Sequence, residues 1–174
     1  NPNNPTGSIL STEYIFQLCF NNPNKFFIID ESFIEFSSES SIIELIENSN
    51  LNNVIVIRSM SKNYGLPGIR LGFIYTSDIS LRQNILNEIP IWNLNSMAEF
   101  YMEIILKNKI SLEDSFKKTK LDREKLIDQL NQIHLIDKIY PSEANFILFQ
   151  IENKNFNSND FMNYLMNSHN ILVK

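Results

Sequence analysis

Two short, uninterrupted apolar runs constrain this chain more than any other feature. Lys25-Phe26-Phe27-Ile28-Ile29 leads into Asp30-Glu31, and Val54-Ile55-Val56-Ile57 leads into Arg58-Ser59. Neither alternates apolar with polar residues. Each therefore suits a strand buried on both faces, as in a parallel sheet, rather than one with a wet face. Leu71-Gly72-Phe73-Ile74-Tyr75 reads as a third strand. Helical segments alternate with these runs: Thr12 to Phe20 behind Ser11 as N-cap, and Ser41 to Glu47. Strands alternating with helices point to an α/β fold.

Further along, Ser96 to Leu106 is helical in pattern, and Leu112 to Ile133 is a long amphipathic helix. The mixed charges KKTKLDREKLIDQL on it read as a solvated face. Lys138 to Pro141 and Asn145 to Ile151 read as strands, Asn159 to Asn167 as a helix and Ile171-Leu172-Val173 as a last strand. A domain change is expected inside or just before the long helix, dividing the chain into residues 1–95 and 96–174. The chain opens on a tight Asn-Pro-Asn-Asn-Pro-Thr-Gly loop with no element before it and closes on a strand with no turn after it. It is expected to be a segment of a longer protein.

Composition excludes several function classes. Hydrophobic residues make up 43% and charged residues 20%, as in ordinary globular proteins. The formal net charge of -5 argues against a general nucleic-acid binder. The single cysteine, Cys19, forbids an internal disulfide, sits on the apolar side of a helix and is expected in the core. No apolar run is long enough to span a membrane, and the N-terminus lacks the features of a signal peptide. A cytoplasmic protein is expected. No metal site is expected; His134 and His169 read as surface or cap residues.

In an open parallel sheet, ligands bind beyond the carboxyl ends of the strands. One run here ends in Asp30, and the other in Ser59, Ser61 and Lys62, with Arg70 in the loop beyond. A lysine just past a buried strand should be partly desolvated, which favours the neutral, nucleophilic amine that forms Schiff bases. The plainer alternative is a surface lysine with a snorkelling stem. Two hydroxyls and a guanidinium suit an anion such as phosphate, while the P-loop pattern GxxxxGK[ST] is absent. Asp30 needs a cationic or donor partner if buried; a protonated pyridine nitrogen, a helix cap or an ion pair would each serve.

Three motifs together resemble the class I/II aminotransferase group of fold-type I pyridoxal-phosphate enzymes. They are Asn1-Pro2-Asn3-Asn4-Pro5-Thr6-Gly7, then Asp30-Glu31-Ser32-Phe33, then Ser59-Met60-Ser61-Lys62 with Arg70 eight residues on. The resemblance implies a mostly parallel sheet with flanking helices plus a small C-terminal α+β domain, of which this chain is the middle and C-terminal portion. It implies pyridoxal 5'-phosphate as cofactor. Lys62 would form the Schiff base and shuttle the substrate's α-proton. Asp30 would pair with the pyridinium nitrogen, Asn4 with the phenolic oxygen, and Ser59, Ser61 and Arg70 with the phosphate. The Asn4-Pro5 bond is expected to be cis. Phe33 stands where the family often has a tyrosine donating to the phenolic oxygen. That departure implies a raised pKa for the lysine–cofactor linkage and puts plain aspartate-type transamination in question.

Within the family, Asp30 to Phe36 resembles both the histidinol-phosphate aminotransferase branch and the threonine-phosphate decarboxylase branch. Ile89 to Asn95 resembles the decarboxylases, and Pro141-Ser142-Glu143-Ala144-Asn145-Phe146 the aminotransferases. Asn145 would line the substrate side or simply form a turn. Trp92 would cover the pocket or be interdomain core, with core preferred because large aromatics bury. The first expectation is an aminotransferase of the histidinol-phosphate type acting on a phosphorylated amino acid or amine, as a homodimer. The alternatives are a threonine-phosphate decarboxylase-like lyase, an aminotransferase for an aminophosphonate or similar amine, and the aminotransferase-like effector domain of a transcription regulator. Lys174 stands where the family commonly has arginine, which leaves substrate choice open.

Overall fold

A computed structural model describes residues 1–151 and 157–173 of the chain. Lys174 and the residues just after the strand ending at Ile151 lie outside that description.

The first helix, α1 (Thr12–Phe20), is capped by the Ser11 hydroxyl, which accepts from the Tyr14 N–H. It leads into β1 (Phe27–Asp30), and after the short helix α2 (Ile43–Glu47) comes β2 (Val54–Ser59). The two strands run parallel, in register from Phe27↔Val54 to Asp30↔Ile57. Residues 60–71 hold only the one-turn helix α3 (Met60–Asn63) and a 3-10 turn at 67–69, both at one end of the sheet. A parallel return needs a crossover carried along the sheet's face. The third strand, β3 (Gly72–Tyr75), therefore comes back antiparallel to β2.

The apolar runs meet the core on one face only. Ile29, Val54 and Val56 pack with Ile15 and Cys19 of α1, with Ile42 and Ile46 at α2, and with Leu51. On the opposite face Ile28 is 65% exposed, and Ile57 and Ile74 are also open. Burial on both faces, expected from the unbroken runs, is thus not found among the described residues: α1 and α2 lie on the same side. Asn53 locks this unit by donating its side-chain amide to the carbonyls of Cys19, Asn22 and Lys25 at 2.9–3.1 Å.

The rest is helical with a small sheet. α4 (Ile79–Glu88), which the sequence reading did not anticipate, is capped by Asp78, and α5 (Ser96–Lys107) by Asn95. The long α6 (Lys109–Leu130) carries no buried residue, in keeping with its charged pattern. β4 (Ile136–Ile139) and β5 (Phe149–Ile151) pair antiparallel, and α7 (Ser158–His169) starts from a capping box between Asn157 and Asp160. Residues 171–173 form no strand, correcting that expectation: no strand among the described residues pairs with them, Ile171 N–H donates back to the Leu165 carbonyl of α7, and Leu172 is open to solvent. No helix among the described residues is long and apolar enough to cross a membrane.

A second core joins the two regions. Phe33 and Phe36, just after β1, pack with Ala144 and are flanked by Phe116 of α6 and by Phe146. Phe33 meets Phe146 edge-on at 5.2 Å between ring centroids. Arg123 of α6 donates to the carbonyls of Phe36 and Ala144, each at 2.9 Å. The opening loop joins here as well. Gly7 has φ +71°, its carbonyl accepts from Glu143 N–H at 2.8 Å, and a Cβ placed on it would lie 2.2 Å from Ser142 Oγ.

Candidate active site

Because β1 and β2 are parallel, their last residues, Asp30 and Ser59, emerge at the same end of the sheet. Ser32 ties the two strand ends together. Its N–H donates to Asp30 Oδ1 at 2.9 Å, and its hydroxyl accepts from Ser59 N–H at 3.1 Å. Ser59 then caps α3, accepting from Ser61 N–H at 3.3 Å. The start of α3 is fixed a second time by Met60 N–H, which donates to the Leu71 carbonyl at 2.9 Å.

Asp30 is exposed, with its carboxylate turned into the bend that follows it. Ser61 is buried, whereas Lys62, one residue on, is exposed with Nζ 4.3 Å from the centre of the Phe33 ring. The partial desolvation expected of Lys62 is therefore not seen. α3 is a single turn that turns Ser61 and Asn63 inward, so the residue between them faces out. Arg70 adopts the left-handed conformation, φ 59°, with its guanidinium 3.2 Å from the Pro67 carbonyl. Ser59, Ser61 and Arg70 line one cavity of about 820 Å³, whose apolar wall includes Phe73, Ile85 and Leu86. Arg58 and Arg82 bring two more guanidinium groups to that cavity.

The opening loop lies at this end too. The backbone nitrogen of Asn1 donates to the Asp30 carbonyl, and the Asn1 side chain closes the loop on Leu10 with bonds of 2.8 and 2.9 Å. Asn4 is exposed in the turn, and Asn4-Pro5 is cis, as is Asn1-Pro2. Two expected residues lie elsewhere. Trp92 is 91% exposed rather than core, and Ile91 beside it is equally open, since both point away from the residues that line the cavity. Asn145 is exposed and lines a different, smaller cavity of about 190 Å³ with Arg123 and Phe146. Cys19 is fully buried, which pushes its thiol pKa up, and both histidines are at the surface.

The sequence reading missed a buried ionic network directly behind these groups. Glu31, 2% exposed, accepts from the Ser41 hydroxyl at 2.6 Å, from Ile42 N–H at 2.8 Å and from Arg58 at 2.9 and 3.2 Å. Arg58 also donates to Glu35 at 3.2 Å, and the other Glu35 oxygen accepts from the Asn63 amide at 2.6 Å. Burial holds the Glu35 carboxyl above the usual carboxylate range, opposed by its hydrogen bonds and by Arg58. The signal was present: Arg58 ends an apolar strand and Glu31 follows its neighbour, and charges at buried strand ends need one another.

The donor set fits a phosphorylated, cationic-ring ligand: two hydroxyls and a guanidinium on one cavity, with a carboxylate and a primary amine at the same end of the sheet. Fold and site together define an α/β module with a lysine just beyond the carboxyl ends of parallel strands. A family model for class I and II aminotransferases matches residues 1–174, and the chain belongs to that family. It is 38% identical over 156 residues to the adenosylcobalamin biosynthesis bifunctional protein CobDQ of Leptospira interrogans, covering 88% of this chain and 17% of that protein. The crystal structure of the histidinol-phosphate aminotransferase from Clostridium acetobutylicum shares the fold with a TM-score of 0.88 at 31% identity, over 99% of this chain and 51% of that one. The L-threonine-O-3-phosphate decarboxylase of Porphyromonas gingivalis matches in fold with a TM-score of 0.87 at 24% identity, over 100% of this chain and 52% of that one. The chain thus spans about half the length of these structures and is part of a fold-type I α/β architecture.

Proposed function

We propose that the whole protein is a pyridoxal-phosphate-dependent aminotransferase of the histidinol-phosphate type, acting on a phosphorylated amino acid or amine. The observation that carries this reading is the joint one: membership of the aminotransferase family over the full chain, with Asp30, Ser59, Ser61, Lys62 and Arg70 all following the carboxyl ends of two paired strands. Bound pyridoxal phosphate supplies an electron sink for charge developing on the substrate's α-carbon.

The chain's own residues do the rest. The Lys62 amine would hold the cofactor and would take a proton from, and return one beside, the substrate's α-carbon. The Asp30 carboxylate keeps the ring nitrogen protonated. Asn4 would donate to the phenolic oxygen, and Phe33 would add no hydroxyl to it. Ser59, Ser61 and Arg70 grip the phosphate, with Ser59 and Ser61 held by the start of α3. Asn145 and Trp92 stand as substrate-side groups supplied from outside this cluster. Residues 1–95 belong on this reading to the large domain and 96–174 to interdomain helices and the small domain. The protein works as a cytoplasmic homodimer.

Phe33 and the 38% identity to a cobalamin-biosynthesis protein favour a second reading, a phosphothreonine-decarboxylating lyase. The two differ in which bond to the α-carbon is held perpendicular to the cofactor ring. The test uses full-length protein with pyridoxal phosphate. Glutamate formed from 2-oxoglutarate and histidinol phosphate supports the aminotransferase; carbon dioxide released from phosphothreonine, without glutamate, replaces it with the lyase. A DNA-binding regulator would show neither, and would shift a DNA fragment in a cofactor-dependent way.

A further inference from the structure

Lys62 sits on a helix that cannot hold its own angle. α3 has only four residues, a single turn that closes with Tyr64 N–H donating to the Met60 carbonyl at 3.2 Å. A single turn fixes several dihedrals for one hydrogen bond and is unfavourable alone. Its start is clamped by Ser59 and by the Leu71 carbonyl. Its end is clamped through Asn63, whose amide donates to Glu35 at 2.6 Å, and through the Tyr64 carbonyl, which accepts from Tyr101 at 2.9 Å. Glu35 is itself anchored. It stands on the 3-10 turn after β1, between the buried rings of Phe33 and Phe36, and it accepts from Arg58 at 3.2 Å.

Charge balance alone does not account for Glu35. Arg58 is already paired with the fully buried Glu31 through two contacts. A second, half-buried carboxylate adds desolvation cost, which shows in its raised proton affinity. Asn63 is also left with a buried side-chain oxygen that has no partner. Such arrangements persist where geometry is required of them.

Resting on the assignment of Lys62 as the cofactor-binding amine, we propose that Glu35 is a positioning residue. Its carboxylate, gripped by Arg58 and gripping Asn63, sets the orientation of α3 and so of the Lys62 amine. Neither Glu35 nor Asn63 contacts the cofactor; each acts through α3.

The experiment measures capture of pyridoxal phosphate by apo full-length protein, the condensation of the Lys62 amine with the cofactor aldehyde with loss of one water, followed by rapid-mixing absorbance. Pyridoxine 5'-phosphate, which has the phosphate and ring but no aldehyde, reports non-covalent binding in the same proteins. Glu35→Ala and Asn63→Ala should slow capture about 10- to 100-fold, the scale of a misplacement near 1 Å. Binding of pyridoxine 5'-phosphate should stay within about 2-fold of wild type. Glu35→Gln should recover most of the rate. Its oxygen can accept from Arg58 while its amide donates to the unpaired Asn63 oxygen after that side chain turns over. The proposal is overturned if folded Glu35→Ala captures at the wild-type rate. It is equally overturned if capture, pyridoxine 5'-phosphate binding and apo-protein Tm fall together and Glu35→Gln restores none of them. Should Glu35→Ala fail to fold, Asn63→Ala poses the same question from the helix side. Failure of the parent assignment looks different: wild type itself would capture no faster than Lys62→Ala.

Discussion

Glu35 shows how one side chain is pulled in two directions. Its burial disfavours the charged form, while Arg58 and Asn63 favour it, and burial dominates. The folded carboxyl therefore holds its proton to higher pH than the unfolded one. By linkage, the folded state binds the extra proton between the two pKa values, so this group's contribution to stability declines as pH rises through that window. Glu35→Gln removes that dependence. Denaturant unfolding from acid to neutral pH should show the stability of Glu35→Gln gaining on wild type as pH rises; parallel curves would refute the sign. At this scale the sequence was partly legible. Asp30, Ser59, Ser61, Lys62 and Arg70 could be picked out as strand-end polar groups. The charges of Glu31 and Arg58 at the strand ends signalled a pair, but the part played by Glu35 and Asn63 could not be read, because it depends on the register that sets Asp30 against Ile57.

Elements were legible where local chemistry and burial agree. α1 starts and stops at the residues its Ser11 cap and apolar stripe require, and Ile15 and Cys19 fall on its inner face. α4 was missed because none of its apolar residues is buried and only Ile85 and Leu86 face the cavity, leaving only the Asp78 cap as a signal. The strand expected at 171–173 failed for the opposite reason: an apolar run is a strand only where another strand can pair with it. Ile46, fully buried in α2, is the test of the first core. Ile46→Ala should cost about 2–5 kcal/mol in denaturant unfolding, and a loss under about 1 kcal/mol would mean the α1–α2 layer does not carry the fold. Gly7 tests the opening loop. An alanine there combines positive φ with a 2.2 Å clash on Ser142, so Gly7→Ala should destabilise by about 1 kcal/mol or more. The loop amides of residues 3–8 should also exchange faster with solvent.

At the scale of the molecule, two cores meet along the segment after β1. Phe33 and Phe36 face the 142–146 loop on one side, and Glu31 and Glu35 hold Arg58 on the other. Arg123 closes the joint through the Phe36 and Ala144 carbonyls, with Glu143 at 3.7 Å from its guanidinium. Arg123→Ala should raise hydrogen exchange at residues 36–38 and 142–146 while leaving the Ile46 core protected; uniform exchange across both would show that the joint has no separate stability. The fold class was readable from two unbroken apolar runs. The exposure of their outer face was not, since an unbroken run records only that both faces are apolar.

The central claim is that Lys62 is the amine that holds pyridoxal phosphate. The direct measurement is the visible absorbance of the full-length protein with pyridoxal phosphate added, wild type beside Lys62→Ala, followed by borohydride reduction and peptide mass mapping. The account predicts a yellow band in wild type, its absence in the folded variant and the reduced cofactor on the peptide containing Lys62. A folded wild-type protein without the band, or a variant that keeps it, would contradict the account.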